Sequence, residues 1–90
     1  MTGGVRPEDL PGHDWQEEDG LHINVQGLQP PEPMLGILGR IDCLTAPAQV
    51  TVHHDRDPIY LYPELAERGW SWEIVPGAPG EVRLILRKRP

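Results

Sequence analysis

The alternation of apolar and polar residues predicts the main elements of the chain, beginning at residue 21. Residues 21–26, LHINVQ, have apolar side chains at the first, third and fifth positions, which is the pattern of a half-buried strand. Residues 34–44 space their apolar side chains as a helix does, and residues 49–54, QVTVHH, return to the alternation of a strand. This strand–helix–strand order predicts a right-handed parallel crossover.

A second, shorter helix is expected after the second strand. Asp57 and Pro58 are typical of an N-cap and a first helical residue, and Gly69 is typical of the position after the last turn. Pro63 cannot lie deep inside a helix. Either residues 58–62 form a separate turn, or the helix proper begins near Pro63.

The last two strands, WSWEIV (70–75) and EVRLILRK (81–88), are joined by the turn sequence PGAPG and predict a hairpin. The order βαβαββ predicts an α+β fold, a two-layer sandwich with both helices on one face of a four-stranded mixed sheet. We expect Gly36 and Gly39 to let the first helix lie close to the sheet, although each costs up to about 1 kcal/mol relative to Ala. The face open to water would carry eight polar residues: His22, Asn24, Thr51, His53, Ser71, Glu73, Arg83 and Arg87.

Composition and charge divide the chain into two parts. The net charge of −6 is concentrated in residues 1–19, which combine acidic residues with Gly and Pro and show no periodicity. We interpret residues 1–19 as a flexible acidic tail, in which Trp15 is the exception that would dock locally, and residues 20–90 as the domain. The domain is close to neutral, so its charge argues against nucleic-acid binding.

The chain shows no apolar run long enough to cross a membrane and no secretory signal at its start. Its single cysteine, Cys43, excludes an internal disulfide and fits a reducing compartment. We therefore expect a cytoplasmic protein that does not bind a membrane.

The sequence NVQGLQPPEP, residues 24–33, followed by an apolar helix, resembles the signature of the TusA-like (SirA-like) sulfur-carrier proteins. In that family a strand ends in Asp-x-Arg-Gly-Leu-x-Cys-Pro-x-Pro and opens a helix. Four residues match: Gly27, Leu28, Pro31 and Pro33. Asp, Arg and the active Cys of the family are replaced here by Asn24, Gln26 and Pro30. The element order over residues 21–88 also resembles the βαβαββ fold of the family.

The resemblance implies a family member that lacks the sulfur-carrying thiol. Cys43 lies near the far end of the same helix, where the dipole disfavours thiolate, so we interpret it as a small hydrophobe at the core edge. The chain is similar to a cysteine-free branch of unknown function with PPEP and an HDxxP-like turn. That branch often occurs near or fused to hemerythrin-like domains, which implies a bacterial redox or respiratory setting.

The proline-rich turn and the cluster HHDRDP, residues 53–58, are expected to share the edge where the two parallel strands end. Pro31 and Pro33 make the start of the helix rigid. Adjacent histidines on a strand point to opposite faces and cannot easily bind one ion together. This edge is either a binding surface or simply a rigid turn. Its candidate binding residues are Gln29, Pro31, Glu32, Pro33, His53, His54, Asp55 and Asp57.

The sequence has no Ser-His-Asp arrangement, phosphate loop or Cys-x-x-Cys pair, so we expect neither catalytic residues nor a cofactor. The first hypothesis is a non-enzymatic binding domain that contacts a small ligand or another protein, such as a redox or hemerythrin-like partner. The alternatives are a sulfur-transfer component using Cys43 and a metal- or haem-binding regulator using His53 or His54. Burial of Cys43 separates the first two hypotheses, and metal content after purification tests the third.

Overall fold

A five-stranded mixed sheet and two helices form the protein in a computed structural model, which describes residues 9–89. The elements are β1 (His13–Glu17), β2 (Gly20–Asn24), α1 (Glu32–Ile41), β3 (Ala48–His54), α2 (Leu61–Glu67), β4 (Trp70–Val75) and β5 (Val82–Lys88). The strand order is β1-β2-β3-β5-β4, with β2 and β3 parallel and the other neighbours antiparallel. The α+β class, the parallel crossover and the C-terminal hairpin are confirmed.

The prediction of four strands is wrong, because β1 adds a fifth. This strand lies within residues 1–19, which we interpreted as a tail, and its Trp15 pairs with His22 of β2. β1 is an edge strand with polar residues on both faces, so it shows no apolar alternation. The available signal was the hairpin dipeptide Asp19-Gly20, whose glycine adopts φ 121°. Residues 1–8 of the predicted tail lie outside the described residues.

The core is built from one face of the sheet and from both helices. Its fully covered side chains are Ile23, Val25, Ile37, Ile41, Val50, Val52, Leu61, Leu65, Leu84 and Leu86. Trp70 joins this core, whereas Trp72 and Ile74 on the same face of β4 are 37% and 54% exposed. β4 is the far edge strand, and Tyr62 of α2 stacks on Trp72 at 4.9 Å between ring centroids. Among residues 9–89, no helix is long and apolar enough to cross a bilayer.

A buried arginine fastens the N-terminal segment to α1. The Arg40 guanidinium donates to Asp14 Oδ1 at 2.8 Å and to the carbonyl oxygens of Pro11, Gly36 and Gly12 at 2.7, 3.0 and 3.2 Å. A Cβ on Gly36 would lie 2.5 Å from the Pro11 carbonyl oxygen. A Cβ on Gly39 would meet Leu10, so both glycines of α1 make room for the N-terminal segment. We expected them to let α1 lie close to the sheet, and the close approach is to this segment instead.

The second helix begins later than Asp57, which we expected to cap it. Tyr60 occupies the N-cap position, α2 starts at Leu61, and Pro63 falls in the first turn, where it is tolerated. Residues 57–60 form a separate turn in which Leu61 N–H donates to the Pro58 carbonyl at 2.8 Å. Asp57 instead accepts a hydrogen bond from the Tyr62 hydroxyl at 2.5 Å.

The sheet face opposite the helices is only partly open to water, contrary to expectation. Ser71, Glu73 and Arg87 are exposed, but His22 and Thr51 are 6% and 3% exposed. The indole of Trp15 covers part of this face, because it stacks on His22 and His53. The expectation that Trp15 would dock locally is confirmed.

Candidate functional site

The loops that follow β2 and β3 lie side by side at one end of the sheet. Gly27 N–H donates to Asp55 Oδ2 at 2.9 Å, and the Gln26 side-chain amide donates to the His54 carbonyl at 3.4 Å. The bond from Gly27 is the largest influence that holds the pKa of Asp55 below its ordinary value. The parallel crossover thus brings the proline-rich turn beside the His-Asp cluster, as the sequence predicts.

A groove of about 470 Å³ opens between the start of α1 and the turn before α2. Its walls are mainly apolar, and they are formed by Pro30, Pro31, Pro33, Met34, Ile37, His54, Arg56, Asp57, Pro58, Ile59, Tyr60 and Leu61. The volume is that of an ordinary ligand pocket. A hollow of similar size at the opposite end of the sheet, about 490 Å³, has no buried residue in its lining.

His54 supplies a polar group inside this apolar groove. Its Nδ1 accepts hydrogen bonds from the backbone N–H groups of Asp55 at 2.9 Å and Arg56 at 3.3 Å. The same nitrogen lies 3.2 Å from one acceptor, Asp55 Oδ1, so the neutral ring with its proton on Nε2 satisfies two of these three contacts and the other tautomer only one. Burial lowers the pKa of His54 and favours this neutral form, since the residue is 2% exposed.

The Nε2–H of His54 is available to a ligand. Among residues 9–89, no group is hydrogen-bonded to His54 Nε2. In the same residues, every side-chain nitrogen or oxygen that is fully covered has a hydrogen-bond partner, so Nε2 is not fully covered. It therefore reaches open space, and His54 lines the groove. The groove thus presents one aimed donor within an apolar wall.

The apolar surface continues beyond the groove onto its rim. Ile59 is 58% exposed and Tyr60 is 81% exposed, and both belong to the turn between β3 and α2. Arg56 and Asp57 add charge to the same turn. Large apolar side chains at such exposure are typical of surfaces that contact another molecule.

The predicted binding residues divide into three groups. Four line the groove: Pro31, Pro33, His54 and Asp57. Three lie outside its lining: Gln29 and Asp55 in the flanking loops and Glu32 at the first position of α1. His53 lies on the opposite face of the sheet, where its ring is hydrogen-bonded to His22 and Glu81. Side chains alternate along a strand, so neighbouring histidines could not share the groove.

Several groove residues were absent from the sequence-based set, notably Met34, Ile37, Ile59 and Tyr60. Met34 and Ile37 were assigned to the core because they fit the period of α1. Ile59 and Tyr60 offered a usable signal, because two large apolar residues directly after Pro58 belong to no periodic element. Their place in a polar turn indicates a contact surface.

Cys43 is exposed, and its interpretation as a core-edge hydrophobe is wrong. It lies just past the C-terminal end of α1, beside Asp42, and its Sγ contacts the Gly39 carbonyl at 3.6 Å. Exposure means that burial does not exclude a sulfur-carrying role. Since α1 has ten residues, about 15 Å of helix separates Cys43 from the groove.

Comparison with known families gives one match, to the family described as "Uncharacterized conserved protein (DUF2249)", over residues 22–88. The chain belongs to the DUF2249 family. The DUF2249 match contains the whole groove and the His54 donor, whereas β1 precedes it. A search of curated proteins and a search of solved structures returned no match.

Proposed function

We propose that this DUF2249 domain is a non-enzymatic binding module whose groove receives an apolar segment of another protein. The observation that carries the proposal is the single aimed donor, His54 Nε2–H, within an apolar groove whose rim exposes Ile59 and Tyr60. An apolar wall with a few placed polar groups is the usual composition of a specific binding site.

The exposed rim favours a protein over a small ligand as the occupant. A small molecule seated in the groove would leave the outer parts of Ile59 and Tyr60 in water, because these side chains extend beyond the cavity. A protein segment would cover both residues and offer a backbone carbonyl to His54 Nε2–H. Aromatic residues at the centre of an interface contribute more binding energy than most other types.

The groove also supports a relationship to the TusA-like fold. Pro30 lines the groove at the position where that family carries its cysteine, and the order β2-α1-β3-α2-β4-β5 is the order of that fold. On this proposal the domain retains the presenting surface without the nucleophile. The bacterial, cytoplasmic and redox setting implied by the resemblance belongs to the same proposal, with a hemerythrin-like protein as the first partner to test.

The tautomer of His54 argues against a haem or metal ligand in the groove. A histidine that ligates through Nε2 needs that nitrogen unprotonated and usually donates Nδ1–H to a neighbouring acceptor. In His54, Nδ1 faces two backbone N–H groups, which oppose that arrangement, and one acceptor, Asp55 Oδ1 at 3.2 Å, which would permit it. The two N–H contacts outnumber the single acceptor, so we favour a hydrogen-bond acceptor over a cation as the occupant of the groove.

Position-specific photo-crosslinking tests the proposal. A photoreactive phenylalanine analogue replaces Tyr60 in the full chain, and a matched variant carries it at Ile74, which is similarly apolar and exposed but lies on β4. In living cells we expect a discrete cross-linked protein from position 60 and none from position 74. The same products from both positions, or none from position 60, would contradict the proposal.

A further inference from the structure

A row of hydrogen-bonded side chains crosses the sheet face opposite the helices, away from the groove. His22 Nε2 lies 2.7 Å from Asp19 Oδ1, and His22 Nδ1 lies 2.9 Å from His53 Nε2. His53 Nδ1 is in turn hydrogen-bonded to Glu81 Oε2. The indole of Trp15 stacks on both imidazoles, with ring centroids 5.5 and 5.4 Å away. The side chains of His22 and Glu81 are only 8% and 5% exposed.

A second carboxylate points at the outer end of this row. The indole N–H of Trp15 donates to Glu17 Oε2 at 2.6 Å, and the other oxygen, Oε1, lies 3.6 Å from His22 Nε2. The potential ligand atoms of Glu17, Asp19 and His22 all lie within 4.8 Å of one another. Both carboxylates are about half exposed, so their free oxygens can adjust to a ligand from solvent.

We propose that Glu17, Asp19 and His22 form a binding site for a divalent first-row transition-metal ion, of which Zn²⁺ is the test case. One imidazole and two carboxylates are ligands that such ions accept, and the nitrogen ligand disfavours Mg²⁺ and Ca²⁺. Bonds of about 2.0–2.2 Å to an ion require only small carboxylate movements from the present spacing. Water would fill the remaining coordination positions on the solvent side.

The residues behind His22 strengthen this assignment. A histidine that ligates a metal almost always donates its other ring N–H to an oriented acceptor, which fixes its tautomer and raises its basicity. Here His53 Nε2 lies 2.9 Å from His22 Nδ1, in position to accept that N–H, and Glu81 is hydrogen-bonded to the other side of His53. Trp15 orients Glu17 in the same way, by holding the oxygen that faces away from His22. A surface ion pair would need none of these supports.

The arginine beside this row is already paired with a carboxylate. Arg83 reaches this face from β5, but its guanidinium donates to both oxygens of Glu81, at 2.9 and 3.2 Å. The Arg83 contact is the largest influence that lowers the pKa of Glu81 to about 2, so this carboxylate stays ionised and available to His53. The remaining aromatic neighbour, His13, stacks on Trp15 at 5.5 Å.

Calorimetric titration of the untagged full chain with Zn²⁺ tests the site. We expect binding that Glu17→Gln and Asp19→Asn weaken and His22→Gln abolishes. Glu18→Gln removes a carboxylate from the same turn without touching the site, and His13→Gln removes the nearby imidazole, so both should bind as the unmodified chain does. Glu81→Gln should weaken binding by about 10–100-fold through His53.

A spectroscopic readout separates metal ligation from a structural role. In ¹⁵N spectra of the unmodified chain, Zn²⁺ should shift His22 Nε2 and leave both nitrogens of His54 unchanged. The proposal is overturned if Zn²⁺ does not bind, if His22→Gln binds as tightly as the unmodified chain, or if the shifted nitrogen belongs to His13 or His54.

Discussion

Replacing Arg40 with Ala should detach the N-terminal segment and destabilise the whole domain. The side chain is buried, with 6% exposure of the residue, and its guanidinium makes four hydrogen bonds, three of which reach residues 11–14. The substitution leaves the Asp14 carboxylate and the Pro11 carbonyl without their donor. Because β1 continues directly from this segment, its pairing with β2 should weaken as well.

The size of the effect follows from the burial of each partner. Hydrogen bonds to a charged group contribute about 1.5–3 kcal/mol each, but such values do not add within one network. Asp14 is 37% exposed and regains water once Arg40 is gone. We therefore expect a loss of about 2–4 kcal/mol, which lowers the Tm of a domain this small by roughly 10–25 °C.

Thermal unfolding followed by circular dichroism measures this loss, and hydrogen exchange locates it. The amides of residues 13–17 should lose protection in the Arg40→Ala variant. Arg87→Ala is the matched control, because its side chain is 50% exposed and pairs with Glu73 at the surface, where a pair contributes about 0–1 kcal/mol. A loss below about 1 kcal/mol for Arg40→Ala, similar to that control, would refute the reasoning.

Three further predictions concern packing and pH. In a urea titration, Gly36→Ala should destabilise the protein by about 1–3 kcal/mol despite the better helix propensity of Ala, because the added Cβ would meet the Pro11 carbonyl oxygen. Gly39→Ala should cost less, since its Cβ would meet only the side chain of Leu10, which can move. Stability should fall as the pH drops below 6.5, the ordinary pKa of histidine, because burial depresses the folded pKa of His54 while the unfolded chain takes up the proton; His54→Asn should remove this part of the slope. Stability should fall again between pH 4.5 and about 2, as the Glu81 carboxylate takes up a proton and loses its bond to Arg83. The pKa difference corresponds to roughly 3 kcal/mol, which we reduce to about 1–2 kcal/mol because Arg83 is partly exposed; Glu81→Gln should remove this loss.

The sequence predicted the elements whose hydrophobic period is strong. β3 alternates cleanly, and β5 does so except at Ile85, because both lie in the interior of the sheet with one face against the helices. β1 escaped prediction because an edge strand with no core residue need not alternate apolar and polar side chains, and it is held to the domain by Arg40 and Trp15. Asp14 and Arg40 are 26 residues apart in the chain, so no local pattern could reveal that they pair.

The position of the groove could be predicted, but its chemistry could not. Topology alone places the turn at Pro31 and Pro33 beside His54, since parallel strands end at the same edge of the sheet. The orientation of the His54 ring depends on two backbone N–H groups in the following loop. The conformation of a loop cannot be predicted from the spacing of apolar residues. The row from His22 to Glu81 likewise depends on strand register, which pairs residues far apart in the chain.

The affinity of the cross-linked partner for groove variants tests the central claim most directly. The partner captured at Tyr60 is purified and titrated with the unmodified chain, with Ile59→Ser on the groove rim and with Ile74→Ser on β4, two residues of similar exposure. We expect Ile59→Ser to raise Kd by about tenfold or more, as the loss of a covered apolar side chain requires, and Ile74→Ser to leave it unchanged. Equal effects of the two substitutions, or a loss confined to Ile74→Ser, would contradict a function based on the groove.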